Sequence, residues 1–142
     1  MRFNTKTPTL LLLSFLLVLS SLKAQVVTTV PILPISNDTV TITFDASKGD
    51  AGLAGFSGDV YAHTGVITDK STSATDWKYV ASNWGTTDAK VKLTRIATDS
   101  YTIKFHIRNY YGVPTADTIK KLAFVFRDGP GNTTGRDVGG ND

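Results

Sequence analysis

Val40, Ile42 and Phe44 alternate with Thr39, Thr41 and Thr43, and farther along Tyr101, Ile103, Phe105 and Ile107 alternate with Thr102, Lys104, His106 and Arg108. A period of two sends one set of side chains to each face of an extended strand, so these runs specify half-buried strands. Val60 to Ile67, Val91 to Ile96 and Lys121 to Phe126 supply three more, and a Tyr-Val piece after Trp77 supplies another short one. Turn-forming residues separate them. A turn or so of helix fits Thr115 to Lys121, after Pro114, but no stretch carries a sustained helical stripe. The expectation is an all-β fold in which two antiparallel sheets pack face to face.

Before these runs come Arg2, Lys6, the apolar stretch LLLLSFLLVLSSL from Leu10 to Leu22, and then Lys23-Ala24-Gln25. That order is a secretory signal peptide over residues 1–24, and the stretch is short of the ~20 apolar residues of a membrane span. Three of the 15 basic residues lie in this leader, and the remainder equal the 12 acidic ones in number. A neutral mature chain without a basic stripe does not suit nucleic acid. Cysteine is absent, which leaves stability to the core and excludes thiolate zinc sites and thiol catalysis. It also leaves Gln25 where a lipoprotein needs its lipidated cysteine. The expectation is a secreted, periplasmic or extracellular protein that is not a lipoprotein and has no membrane insertion.

Residues 25–37, with Pro31 and Pro34, read as a lead-in, and residues 38–142 as one sandwich domain. Glycines at 49, 52, 55 and 58 mark a loop between strands and lack the Gly-Lys-Ser/Thr ending of a phosphate loop. The C-terminal RDGPGNTTGRDVGGND stops where a turn normally hands over to a strand, so the chain reads as a fragment short of its last strand. A sandwich lacking that strand leaves an edge of unpaired backbone groups.

Little in the chain calls for catalysis. It has no glutamate, and its aspartates lie mostly in turns, where Asp caps and bends the backbone. No carboxylate pair is marked, no serine sits in a nucleophile elbow, and two histidines without a carboxylate cluster make no metal site. The reading is a non-enzyme with no cofactor.

The densest chemical signal is Val60 to Gly85, which holds both tryptophans, Tyr61, Tyr79 and His63 among short polar side chains. Flat rings beside hydroxyls suit a sugar, which has apolar C–H faces and a polar rim. Tyr61 and His63 share one strand face, opposite Val60 and Ala62, whereas His106, between Lys104 and Arg108, reads as solvated. Seven residues separate Trp77 from Trp84, and in an extended segment that spacing puts them on opposite faces. Trp77 then reads as the surface ring and Trp84 as core or margin.

VYAHTG at 60–65 followed by a polar loop and Trp77, VTITFDA near the start, and KLAFVFRDGPGNTTGRDVGGND at the end resemble the starch-binding carbohydrate-binding modules that accompany bacterial α-amylases. The resemblance covers about residues 38–142, and the overall style is similar to secreted proteins of Bacteroidetes. It implies an immunoglobulin-like β-sandwich of about seven strands that binds α-glucan without cleaving it, as the targeting module of a glycoside hydrolase whose catalytic domain would follow. His63 and Trp77 carry over as the glucan cradle and Tyr61 as a neighbour on the same face; the expectation is stacking on Trp77, joined by hydrogen bonds from His63, Lys78 or Tyr79 that fix orientation. The late turn has no ring here, which shifts the second platform to Trp84 or Tyr79. Two other classes compete with this reading: an immunoglobulin-like spacer whose rings are all core, and a protein-interaction domain using Tyr110 and Tyr111.

Overall fold

A computed structural model describes residues 25–139; the leader assigned to residues 1–24 lies outside the described residues. Seven strands form in order: β1 Val27–Val30, β2 Thr39–Asp45, β3 Tyr61–Thr68, β4 Thr94–Ala97, β5 Ser100–His106, β6 Ile119–Arg127 and β7 Thr134–Gly135. They make a four-stranded sheet, β1-β2-β5-β4, and a three-stranded sheet, β3-β6-β7. All pairings are antiparallel. With strands lettered in chain order this is A-B-E-D against C-F-G, the order of a constant-type immunoglobulin sandwich.

The alternation in β2 and β5 explains the first sheet. Val40, Ile42 and Phe44 are wholly buried, and they stand opposite Phe105, Ile103 and Tyr101 in the register. Ala62 and Val66 of β3 and Phe126 of β6 supply the facing layer. The rings of Phe44 and Phe126 stack with centroids 4.0 Å apart and planes at 12°, which joins β2 to β6 across the core. Antibody domains place a disulfide between these same two strands. In this cysteine-free chain stacked phenylalanines stand there instead.

Polar groups enter this core with their bonds satisfied, as at Thr64. Thr64 is fully buried and gives its hydroxyl proton to the Ala123 carbonyl at 2.8 Å, so the Tyr111 hydroxyl 2.6 Å away donates to Thr64 Oγ1.

Several local expectations are corrected. Residues 25–37 are not a separate lead-in, because β1 lies within them and pairs along β2. The short helix is α1, Ile107–Tyr111, and residues 115–121 are a turn followed by β6. His106 Nδ1 accepts from the Asn109 amide at 3.4 Å, and Gly112 ends the helix in the left-handed region at φ +68°. These caps stop the strand alternation before Ile107. Val91 closes a single 3-10 turn capped by Asp88, so β4 begins only at Thr94. The piece after Trp77 is not a strand; it meets β3 at the bridge of Val66 with Lys78 and by the Ala81 amide on the Thr64 carbonyl. The last strand is present as the two residues of β7.

Tyr110 stacks on Phe105 at 4.1 Å and donates to the Lys90 carbonyl at 3.0 Å. Burial, helped by the Asp88 charge, pushes its pKa up to about 12, and burial pushes Tyr111 higher still. A folded-state pKa above the unfolded value of about 10 favours the folded state below pH ~10, and that contribution is lost as pH rises through the folded value. The denaturation midpoint should therefore fall steadily above pH ~10, with late tyrosinate absorbance accompanying loss of structure. Ionisation of all tyrosines near their ordinary pKa with the fold intact would contradict the packing described for these two rings.

Candidate functional site

Tyr61, His63, Gly65 and Ile67 of β3 point away from the core, paired across the sheet with Arg127, Val125, Ala123 and Lys121 of β6. Beyond β3 the chain returns along the strand's other edge. Val66 and Lys78 exchange both backbone bonds, at 2.9 and 2.8 Å, and the Ala81 amide donates to the Thr64 carbonyl at 2.9 Å. Gly65 permits this approach. A Cβ there would lie 3.1 Å from the Lys78 carbonyl oxygen, 3.2 Å from Val80 Cγ2 and 3.3 Å from Trp77 Cβ. Gly65→Val is expected to push the 77–80 segment outward and cost about 1–3 kcal/mol, measurable by urea denaturation. Wild-type stability in that variant would mean that the segment is not held where it lies.

This path brings both indoles to His63. Trp77 stacks on the imidazole with centroids 5.6 Å apart and planes at 26°, and Trp84 meets it edge-on at 5.2 Å and 77°. The two tryptophans thus meet on one side chain, not on the opposite faces that their spacing predicts for an extended segment. Tyr79 takes a positive φ of 51° and a turn follows at 83–86, so the segment is not extended throughout. Trp84, read as core or margin, is 44% exposed.

The row continues through Arg127. Its guanidinium lies 5.7 Å from the Trp84 ring and 5.6 Å from the Tyr61 ring. It donates to the carbonyls of Asp128 and Gly129 through one terminal nitrogen, and to the Thr86 carbonyl at 2.6 Å through the other. The residue is fully buried, Nε has no hydrogen-bond partner among the described residues, and desolvation lowers its pKa. A charge held this way joins the 83–86 turn to the 128–131 turn. Gly131, at φ +83°, completes the seat: a Cβ there would fall 2.5 Å from Trp84 Nε1.

One depression lies on this face and another on the loop that follows it, between residues 80 and 88. A groove of about 330 Å³ is lined by Trp77, Ile67, Ala123, the Ser71, Thr72 and Ser73 hydroxyl-bearing loop, and Lys120 and Lys121. A more open one of about 590 Å³ is lined by Val80, Ser82, Asn83, Thr86 and Asp88. In the first of these a ring lies beside hydroxyls, the lining expected of a sugar subsite.

The remaining residues singled out from the sequence fall differently. Tyr61 is only 6% exposed, beneath the Arg127 cation, and supports the row from below. Tyr79 packs against the core and donates its hydroxyl to Asp117 at 2.7 Å, so it offers no second platform. Lys78 is ion-paired with Asp76 at 2.8 Å. The aspartates hold loops, as Asp50 does for the Gly52 and Arg136 amides and Asp128 for those of Gly131 and Thr133. Among the described residues no group of three metal-ligating side chains gathers.

Residues 27–134 match the model of a family described as a domain of unknown function, DUF8578. The chain belongs to that family. The matched segment starts at the first residue of β1 and ends in β7, so the family unit takes in both sheets and the whole ring row. No curated protein matches the chain.

Sequence reasoning missed Arg127 and Gly131. The available signal was an arginine closing an otherwise apolar strand end, FVFR, on the same parity as Lys121 and Val125, directly before a glycine-rich turn.

Proposed function

We propose that this domain binds polysaccharide without cleaving it, through the outer face of the β3-β6 sheet, and that the ligand is an α-glucan of the starch or glycogen type. The observation that carries this reading is the pair of indoles on one imidazole, one nearly parallel to it and one nearly perpendicular. Rings so inclined form a bent platform, which suits a curved glucan better than a flat ribbon. Hydroxyls of Ser71, Thr72 and Ser73 beside Trp77 supply partners for a sugar rim. In this reading residues 1–24 export the protein, and the domain targets a secreted glycoside hydrolase to its substrate.

Affinity electrophoresis in gels containing soluble starch tests it. Retardation of the folded protein is expected, and Trp77→Ala should weaken it by about tenfold or more, equivalent to ~1.4 kcal/mol. Unretarded migration would remove the starch assignment. Full retardation of a folded Trp77→Ala variant would remove the site.

One observation favours a protein-interaction reading instead. Val30 at the end of β1, and Ile32, Leu33 and Ile35 on the loop after it, are 69, 84, 87 and 67% exposed, and the loop is tied down by Arg108 bonds to Ser36 and Asn37. The tyrosines put forward for such a role do not provide it, because Tyr111 is buried and Tyr110 is stacked on Phe105.

A further inference from the structure

Eight of the nine residues of β6 pair with β3 on one side, Lys120 being skipped where the register shifts between Ile67 and Thr68, but on the other only Phe126 and Arg127 have partners, Gly135 and Thr134 of β7. After Gly135 the chain turns away: the Arg136 amide donates to Asp50 Oδ1 at 3.0 Å, and the Asp50 amide to the Arg136 carbonyl at 3.1 Å. Among the described residues no backbone group pairs with β6 between Ile119 and Val125 on this outer edge. The core is open along the same stretch. Ile119, Leu122 and Phe124 pack against it yet stay only partly buried, whereas Phe126, beside β7, is 2% exposed.

We infer that the β6 edge from Ile119 to Val125 is an acceptor site for an extended polypeptide strand from outside residues 25–139, apolar at alternate positions and acidic on its outer face. The backbone identifies the occupant as polypeptide, because only a strand repeats donors and acceptors at the spacing of a β-ladder. Alternate apolar side chains of that strand would close over Leu122 and Phe124. The opposite face carries Lys121, and Lys120 adjoins it, both exposed and neither ion-paired among the described residues. A second copy pairing edge to edge would gather the lysines of both copies along one seam, which disfavours it, and a strand bearing aspartate satisfies the same charges.

Hydrogen exchange of the full chain, followed amide by amide, tests the assignment with a synthetic peptide of about seven residues that alternates valine with threonine and aspartate. The peptide should slow exchange of outward-facing amides between Ile119 and Val125 at least tenfold and raise the melting temperature with the logarithm of its concentration above Kd. A version with lysine for aspartate should bind at least tenfold more weakly, and one with a central proline should have no effect. Unchanged exchange at saturating peptide overturns the inference. So does protection that rises with protein concentration alone, which would make a second copy the occupant.

Discussion

Phe44→Ala is expected to lower the stability of the fold by about 3–5 kcal/mol, a large share of the ~5–15 kcal/mol that holds a domain together. Phe44 is fully buried, and its ring meets Tyr101 at 6.2 Å on its own sheet and Phe126 at 4.0 Å on the other. Gly135 of β7 rests on the same ring, since a Cβ there would lie 2.7 Å from Phe44 Cζ. Removing the ring therefore empties a space bounded by both sheets and withdraws support from β7. The cavity cannot close by a local shift, because its walls are paired strands. Urea denaturation should show a lower midpoint at an unchanged slope, whereas Ile96→Ala on the exposed β4 edge should stay within ~0.5 kcal/mol of wild type. Equal effects at the two positions would refute the two-sheet core.

Arg127→Leu should cost about 2–4 kcal/mol and should also loosen Trp84. Two effects oppose one another here. Deleting a buried guanidinium relieves its desolvation and that of an unpartnered Nε–H, which is stabilising. It also strips the carbonyls of Thr86, Asp128 and Gly129 of their donor, at about 1–3 kcal/mol for each acceptor left dry. The losses win because three acceptors depend on one side chain. Arg127→Lys should recover part of the stability but not the Trp84 environment, since an ammonium lacks the planar fork that lies between Tyr61 and Trp84. Tryptophan emission shifted towards that of solvent-exposed indole in both variants, with denaturation midpoints ordered wild type, lysine, leucine, is the expected result. Identical midpoints for all three would show the arginine to be incidental.

The sheets were legible because their signal is local. Thr39 to Phe44 and Tyr101 to Phe105 alternate strictly, and the structure pairs those two runs with their apolar members facing the core. Where capping competed with alternation the sequence was ambiguous, and α1 formed at Ile107 because the His106 side chain and Gly112 closed both ends of a turn. β1 was hidden by Pro31 and Pro34, although only Val27 to Val30 needed to be extended. The ring cluster was legible in composition but not in geometry. Parity holds only along an extended chain, and the positive φ at Tyr79 broke it between the two tryptophans. Arg127 was illegible as a site residue because its partners are backbone carbonyls, which carry no signature in a sequence.

The chain has two tryptophans, so an amide correlation spectrum contains two indole N–H signals, one from each edge of the proposed platform. Titration with a linear malto-oligosaccharide should move both indole signals and the amides around His63 and Ser71 to Ser73, while the 31–38 loop and α1 stay still. Saturable shifts confined to that loop, or no shifts at all, would contradict glucan binding on this face.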